Sequence, residues 1–371
     1  MTSGSQRRVR EQEAAVQLYF EGAPLYDDML AAIATARERI WLESYIFADD
    51  EVGRLFLLAL ADAVRRGVDV RLHLDAAGSL FRTGRRFFRE VRHAGIPLRR
   101  FHRWSWREPF RYNRRNHCKL LIIDDSCLFT GGFNIHRESD ARVVGSACWR
   151  DSHAAIHSRS LCEQAEILFD LFWSHRWRDP TRRFVDQAGR QGLALVGNRG
   201  PRQEHALRKL YRDALDQAEQ RILLTTPYFV PDAKTLLCLR RAARRGVSVH
   251  LLLPGVIDHQ ALLLVARRQY RRLLEAGVRI HEYRQRILHA KTLTVDGELG
   301  ILGTANFDYR SLFHNYELNL VIRQRGLTEQ LDRQFARDLD QSDEITLENL
   351  PDPNWRERLL GRAGWVVRRW L

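Results

Sequence analysis

The chain has 371 residues, of which 44% are hydrophobic and 29% are charged, so it suits two domains with ordinary cores and is neither disordered nor a membrane bundle. Its formal net charge of +14 favours polyanionic partners such as nucleic acid or an anionic membrane face. Five cysteines without a CxxC pair argue against a disulfide framework or a zinc site. We expect neither a signal peptide nor a membrane span, because no run approaches about 18 apolar residues.

The predicted elements of the first half alternate between strands and helices. The run IWLESYIF is typical of a strand, and the segment after it has apolar residues at helical spacing up to Gly67, a good helix stop. The predicted order is a strand at 40–47, a helix at 50–66, a strand at 68–75, a basic amphipathic helix at 84–94, and strands at 96–101, 120–125 and 127–132. Strands separated by helices favour an α/β fold with a mainly parallel or mixed sheet covered on both faces.

The second half of the chain repeats the first. HCKLLIIDDSCLFTGGFN at 117–134 matches HAKTLTVDGELGILGTAN at 289–306, and three further matches keep the same order at offsets of 172 to 182 residues. One unit of roughly 180 residues is therefore used twice. We predict two duplicated α/β/α units, 1–185 and 186–350, around a pseudo-twofold axis, followed by a tail rich in Trp and Arg at 351–371.

Each repeat contains the same polar residues at identical spacing. The set is His117, Lys119, Asp124 and Asn134 in the first copy, and His289, Lys291, Asp296 and Asn306 in the second. Residues two apart on a strand share a face, so each histidine and its lysine can converge on one ligand. Thr304, near the second asparagine, is a further substrate-binding candidate. Only four of the 60 basic residues are lysines, and two of these four occupy the motif position, which indicates selection for geometry rather than charge.

Phosphodiester cleavage is the chemistry that these residues fit. It needs a nucleophile for phosphorus, an acid for the leaving alkoxide and cations for the phosphoryl oxygens. Two histidines can supply the first two near neutral pH, and two lysines and two asparagines can supply charge and fixed donors. No carboxylate or cysteine cage for a metal is evident, so we expect no metal and no other cofactor.

These paired motifs resemble the HxKxxxxD motifs of the phospholipase D superfamily. The resemblance implies that one histidine becomes a phosphohistidine while the other protonates the leaving group. It favours His117 as the nucleophile and His289 as the acid, and the sequence leaves the reverse assignment open. Within the motifs, Asp124 and Asp296 are then structural.

The resemblance also implies that an acidic residue downstream of each motif orients the histidine of that motif. Glu317 fits this pattern in the second copy. Asp151, in WRDSH, is the best match in the first copy, where the acid is displaced along the chain.

Within the superfamily, the chain is most similar to bacterial cardiolipin synthases of the shorter type. The similarity runs from about residue 16 to about residue 345 and includes LDAAGS, GGFNI, WRDSH, GTANFDYRS and NYELN. It implies transfer of a phosphatidyl group from one phosphatidylglycerol to another, with release of glycerol. The expected partners are this anionic phospholipid and a membrane surface. The expected location is peripheral, on the cytoplasmic face of the bacterial inner membrane.

Two alternative functions remain open. Water as the acceptor would make the protein a phospholipase D, and a nuclease of the superfamily would use the same residues on DNA. Nucleic acid is the less favoured partner, because minimal nucleases of this type carry one motif per chain and dimerise, whereas this chain holds both. The sequence leaves the acceptor alcohol and the oligomeric state open.

Four further features lie outside the motifs. Glu43 and Tyr228 fall at strand ends that we expect to border the site. The arginine-rich segment 101–116 is predicted to be a loop beside it. The segment 354–371 fits either an interfacial membrane segment or a helix docked on the core.

Overall fold

The computed structural model describes residues 14–79, 82–102, 106, 113–174, 192–198, 206–257 and 260–350, without the side chains of residues 260 and 261. Three predictions lie outside this part of the chain. They are the junction between units at 185/186, the tail at 351–371 and most of the segment 101–116. The proposed unit boundaries therefore stay predictions.

Among its described residues, the first half forms one seven-stranded sheet with five α-helices. Its strands are β1 (Ala15–Tyr19), β2 (Arg39–Ser44), β3 (Asp69–Asp75), β4 (Leu98–Phe101), β5 (Leu120–Ile123), β6 (Cys127–Gly131) and β7 (His153–His157). Its helices are α1 (Gly22–Thr35), α2 (Glu51–Arg65), α3 (Arg85–His93), α4 (Ala141–Val144) and α5 (Arg159–Trp173), with 3-10 turns at Arg137–Ser139 and Gly145–Ala147.

The second half forms an eight-stranded sheet and a two-stranded ribbon. Its strands are β8 (Leu193–Gly197), β9 (Arg221–Thr225), β10 (Phe229–Val230), β11 (Ser248–Pro254), β12 (Arg279–Tyr283), β13 (Thr292–Val295), β14 (Leu299–Gly303), β15 (Phe307–Asp308), β16 (Leu318–Ile322) and β17 (Ser342–Ile345). Its helices are α6 (Ala206–Gln217), α7 (Ala233–Arg244), α8 (Gln260–Leu274), α9 (Tyr309–Phe313) and α10 (Arg325–Leu339).

Local sequence explains where the crossover helices begin and end. Asp50 precedes α2 and its carboxylate accepts the backbone N–H of Gly53, while Asp232 caps α7 in the same way. The helix α2 ends before Gly67, whose φ of 86° is costly for other residues. The predicted helix at 50–66 is therefore confirmed.

The strand orders of the two sheets show the duplication. The first sheet has the order β1-β7-β6-β5-β2-β3-β4, and the second has the equivalent order β8-β16-β14-β13-β9-β11-β12 with β17 added at the edge. The sheets are mixed, because β2, β3 and β4 run parallel, as do β9, β11 and β12, while the other pairs in these two sheets run antiparallel.

The expectation of duplicated α/β units with mainly parallel or mixed sheets is confirmed, and the sheets are of the mixed kind. The strand after each motif returns through a tight turn, so β5 and β6, like β13 and β14, form hairpins that can only be antiparallel. The sequence analysis missed β1 and β7, which close the first sheet on that side.

Three apolar clusters hold the layers together. One packs the first sheet against α1, α2 and α3, and another packs the second sheet against α6, α7 and α8. A third joins the inner faces of both sheets through α5 and α10, with Ile122 and Leu318 fully buried in it. The two halves therefore share a core, which fixes the motifs of one half relative to the other. Within the described residues, no helix combines the length and apolar character needed to cross a bilayer.

Candidate active site

Backbone hydrogen bonds between the two halves bring the two motifs together. The backbone N–H of His117 donates to the carbonyl of Tyr316 at 2.8 Å, and the N–H of Tyr316 donates to the carbonyl of Arg115 at 2.8 Å. In the second half, the N–H of His289 donates to the carbonyl of Arg150 at 2.7 Å. Each motif histidine is thus anchored by a short parallel bridge to the chain segment that carries the other half's acid.

This exchange pairs each histidine with a carboxylate of the opposite half. His117 Nδ1 lies 2.9 Å from Glu317 Oε2 and 3.1 Å from the carbonyl of Thr304, and His289 Nδ1 lies 2.5 Å from Asp151 Oδ2. The resemblance implied that each acid serves its own motif, and that pairing is wrong. These acceptor oxygens favour the proton on Nδ1, which leaves Nε2 of each ring for chemistry.

The motif lysines lie beside the histidines and are almost completely buried. Lys119 Nζ donates to the carbonyl of His117 at 2.8 Å. Lys291 Nζ lies 2.7 Å from His289 Nδ1 and 3.5 Å from Asp151 Oδ2, and it also contacts the carbonyl of His289. Burial lowers the pKa of Lys119 to about 7, so a bound phosphate anion would favour its charged form.

The motif aspartates lie at the far end of the motif strands from the histidines. Asp124 and Asp296 both have positive φ values, of 51° and 55°. Their carboxylates accept backbone N–H groups from the start of the neighbouring strand, namely those of Arg37, Glu38 and Arg39 for the first and of Glu219, Gln220 and Arg221 for the second. These bonds fix a turn and leave the aspartates no contact with a reacting group, as the resemblance implied.

The three predicted substrate-binding residues have different surroundings. Asn134 Oδ1 accepts the N–H of Ile46 at 3.1 Å, which leaves its amide nitrogen as a donor. Asn306 Oδ1 is buried and has no hydrogen-bond partner among the described residues. Thr304 stays a predicted substrate-binding residue, and its buried hydroxyl donates to Glu317 Oε2 at 2.6 Å, which positions that carboxylate.

Known proteins match this chain over most of its length. Residues 29–173 and 211–339 match the family described as cardiolipin synthase, PLD-like domain. The chain belongs to this family. It is 33% identical over 366 residues to a cardiolipin synthase of Clostridium perfringens (strain SM101 / Type A), covering 95% of this chain and 75% of the relative. It is also 33% identical to one from Listeria innocua serovar 6a, covering 91% of this chain and 71% of the relative. The resemblance inferred from the motifs is confirmed.

Solved structures support the fold. A phosphatidylserine synthase from Haemophilus influenzae Rd KW20 is similar with a TM-score of 0.75 and 15% identity, over 96% of this chain and 95% of that one. A polyphosphate kinase from Porphyromonas gingivalis is similar with a TM-score of 0.63 and 15% identity, over 96% of this chain and 53% of that one. At this identity the likeness concerns the duplicated α/β fold alone.

The two histidine–acid pairs of this cardiolipin synthase family member differ electrostatically. Burial tends to raise the pKa of Asp151, but the charges of Lys291 and His289 outweigh it and bring the pKa to about 2. Burial dominates at Glu317 and raises its pKa to about 7. Near neutral pH, one pair therefore contains a fixed anion, while the acid of the other pair is close to half-protonated.

Both histidines are held neutral in the absence of a phosphate. Burial lowers the pKa of His117 well below its ordinary value, and it lowers the pKa of His289 to about 4. Positive charge on Lys119 and Lys291 lowers the pKa of both rings further. Because each histidine responds to the lysines of both halves, the four groups belong to one site rather than two.

The two additional candidates, Glu43 and Tyr228, lie in different environments. Glu43 is buried behind the motif, where its Oε1 accepts from the Asn116 amide at 2.5 Å and lies 3.0 Å from His73 Nδ1. It therefore supports the backbone beside His117 instead of contacting a ligand. Tyr228 packs against an apolar cluster that includes Val230.

Sequence reasoning missed two aromatic residues of the site. The ring of Tyr45 lies edge-on to His117 with centroids 4.9 Å apart, and the ring of Trp149 lies 5.2 Å from that of His289. Trp149 opens the WRDSH run that pointed to Asp151, so its closeness to the acid was the available signal. Among the described residues, no group of three or more His, Cys, Asp or Glu side chains is arranged to hold a metal.

Proposed function

We propose that this site transfers a phosphatidyl group between alcohols, forming cardiolipin from two phosphatidylglycerol molecules and releasing glycerol. The observation that carries the proposal is the pair of buried carboxylate–histidine–lysine groups contributed crosswise by the two halves. Family membership favours this reaction over hydrolysis or DNA cleavage. The enzyme is accordingly a phospholipase D-type phosphatidyltransferase.

The reaction proceeds in two steps at one site. His117 Nε2 attacks phosphorus, the bond to the glycerol oxygen breaks, and a proton on His289 Nε2 goes to that oxygen. The acceptor hydroxyl then attacks the phosphohistidine and its proton goes to His289, while the P–N bond electrons return to His117. The lysines and asparagines stabilise the charge on the phosphoryl oxygens throughout.

The electrostatic difference between the pairs supports His117 as the nucleophile. The acid must carry a proton in the first step, and the permanently ionised Asp151 stabilises that imidazolium at His289. Glu317 carries less negative charge near neutral pH, so it stabilises an imidazolium at His117 less than Asp151 does at His289.

Lipid analysis of phosphatidylglycerol vesicles incubated with the enzyme and a chelator tests the reaction. We expect cardiolipin and free glycerol from the wild type, none from His117→Ala, and full activity from His250→Ala as a matched histidine control outside the site. Phosphatidic acid as the sole product would make the enzyme a hydrolase. Intact lipid together with cleaved plasmid DNA would favour the nuclease.

A substrate with an activated leaving group tests the assignment of the two histidines. Phosphatidyl-p-nitrophenol needs no acid, because p-nitrophenolate leaves unprotonated. We expect His289→Ala to release a burst of nitrophenolate close to the enzyme concentration and His117→Ala to release none. A burst from His117→Ala instead would reverse the assignment.

We also propose that the protein works at an anionic membrane surface, peripherally on the cytoplasmic face of the bacterial inner membrane. The net charge of +14 supports this, as do the exposed side chains of Arg85, Arg89 and Arg92 on α3, which pair with none of the described carboxylates. Sedimentation with phosphatidylglycerol vesicles should be strong at low salt and weaker for the triple Arg→Gln variant. Equal binding to zwitterionic vesicles would contradict the proposed preference for an anionic surface. Removal of residues 354–371 would show whether the tail contributes to binding.

A further inference from the structure

The reacting groups of the two halves are equivalent, but the aromatic rings beside them are not. Tyr45 contacts the ring of His117, and Trp149 contacts the ring of His289. Both aromatic residues belong to the first half. The repeat places Pro227 and Asn315 at the equivalent positions of the second half. Since the acceptor hydroxyl arrives beside only one of the two histidines, this asymmetry is where discrimination between acceptors can arise.

Trp149 lies at the end of a connection that is longer in the first half. Sixteen residues separate Asn134 from Asp151, whereas ten separate Asn306 from Glu317. The extra length forms α4 and its flanking 3-10 turns. The first half therefore has a longer segment here, which ends in the tryptophan beside the other half's histidine.

The surroundings of Trp149 fix the position of its ring. Its backbone N–H donates to the carbonyl of Glu138 at 2.7 Å, and the ring packs edge-on against that of His136 with centroids 5.1 Å apart. His136 is itself buried, and its Nδ1 lies 2.7 Å from Glu138 Oε2. Trp149 is only partly buried, so part of its surface stays exposed while its ring contacts that of His289.

We propose that Trp149 lines the acceptor subsite and sets the partition of the phosphatidyl-enzyme between alcohol transfer and hydrolysis, an inference that rests on the proposed function. The glycerol oxygen leaves and the acceptor hydroxyl arrives on the His289 side. There, a lipid alcohol gains contact with the indole and displaces water from the ring. If water reaches phosphorus instead, its O–P bond forms, its proton goes to His289, the P–N bond breaks and phosphatidic acid is released.

Tyr45 provides the matched comparison on the opposite side. Its ring contacts His117, and Lys119 Nζ lies 5.4 Å from the ring centroid, so it borders the nucleophile and the phosphate rather than the acceptor. Its removal should lower the rate of phosphatidyl-enzyme formation. It should leave the ratio of the two products unchanged, because that ratio is set after the intermediate has formed.

The test measures phosphatidic acid and cardiolipin from phosphatidylglycerol vesicles for the wild type, Trp149→Ala, Trp149→Phe and Tyr45→Ala. We expect Trp149→Ala to raise the ratio of phosphatidic acid to cardiolipin about tenfold, which corresponds to about 1.4 kcal/mol between the competing acceptors. Trp149→Phe should stay within about threefold of the wild type, because it keeps an aromatic ring. Both products arise from one intermediate, so the ratio does not depend on the folded fraction.

Three results would overturn the inference, and they are distinguishable. If the wild type makes cardiolipin and Trp149→Ala lowers both products equally, Trp149 is only structural and the proposed function stands. If the wild type makes no cardiolipin at all, the proposed function fails and this inference fails with it. A changed ratio in Tyr45→Ala alone would move the acceptor subsite to the other side of the site.

Discussion

The unequal acids of the two histidine pairs lead to a prediction about pH. Asp151→Asn and Glu317→Gln both replace a carboxylate by an amide of nearly the same shape. The first removes a permanent anion from the partner of His289, since the pKa of Asp151 is about 2. The second removes an anion that is only partly present near neutral pH, since the pKa of Glu317 is about 7.

These pKa values determine how the loss of kcat in each variant depends on pH. A hydrogen bond to a charged group contributes about 1.5–3 kcal/mol, so Asp151→Asn should lower kcat by roughly 10- to 150-fold. This factor should be flat above about pH 5, where Asp151 stays ionised. At pH 6 about nine tenths of Glu317 is already protonated and resembles Gln, while at pH 8 about nine tenths is ionised. The loss caused by Glu317→Gln should therefore grow with pH, by up to about tenfold between pH 6 and pH 8.

The assay is kcat for cardiolipin formation at saturating phosphatidylglycerol from pH 5.5 to 8.5, divided by the wild-type value at each pH. Unfolding midpoints of all three proteins across the same range control for stability. Two parallel, flat ratios would refute the reasoning, because they would mean that both acids are equally ionised in the working enzyme. Wild-type activity in Asp151→Asn would contradict its role in orienting His289.

Three further predictions concern the framework of the site. Asp124→Ala should lower the free energy of unfolding in urea by about 2–4 kcal/mol, because backbone N–H groups lose their acceptor, with little change in kcat per folded molecule. Gly132→Ala should reduce kcat at least about tenfold, because its Cβ would overlap the buried carboxylate of Asp151. Gly326→Ala is the control and should leave kcat unchanged, because there is open space around Gly326. Arg150→Met should cost about 3–5 kcal/mol of stability by leaving buried Asp338 unpaired, and Asp338→Leu in the same chain should recover most of it in thermal unfolding.

The sequence was sufficient to predict that the two motifs meet. Identical spacing from His117 to Asn134 and from His289 to Asn306 identified the motifs, and the repeat predicted that the halves would combine in one site. The motif residues do converge, because spacing along a strand translates directly into geometry. The four lysines of the whole chain also pointed to Lys119 and Lys291, since this protein otherwise uses arginine.

The exchange of the acids could not be predicted from spacing. Glu317 lies 200 residues from His117 along the chain, and its closeness depends on a backbone bridge between the halves. Sequence order instead suggested that each acid serves its own motif. The same limit explains why Glu43 was expected at the site, because one strand position decides whether a side chain faces the ligand or the buried layer behind it.

The two halves have diverged in a matched way around these acids. In the first half, the short Asp151 side chain lies against Gly132, where a Cβ would overlap its carboxylate. In the second half, the longer Glu317 leaves room for Thr304, whose hydroxyl bonds it at 2.6 Å. Gly132 and Asp151 in the first half, like Thr304 and Glu317 in the second, are therefore in contact and matched in size. In each half, the acid nevertheless serves the histidine of the other half.

This contact leads to a prediction for placing the second half's threonine and glutamate in the first half. Gly132→Thr alone should abolish activity, because the new side chain displaces the carboxylate that orients His289. Gly132→Thr combined with Asp151→Glu should recover at least about tenfold in kcat over the single variant, because the first half then copies the Thr304–Glu317 arrangement. Asp151→Glu alone is the control, because it lengthens the acid without changing Gly132. A double variant as inactive as Gly132→Thr would show that the two residues do not compensate one another, and that the difference between the halves has another origin.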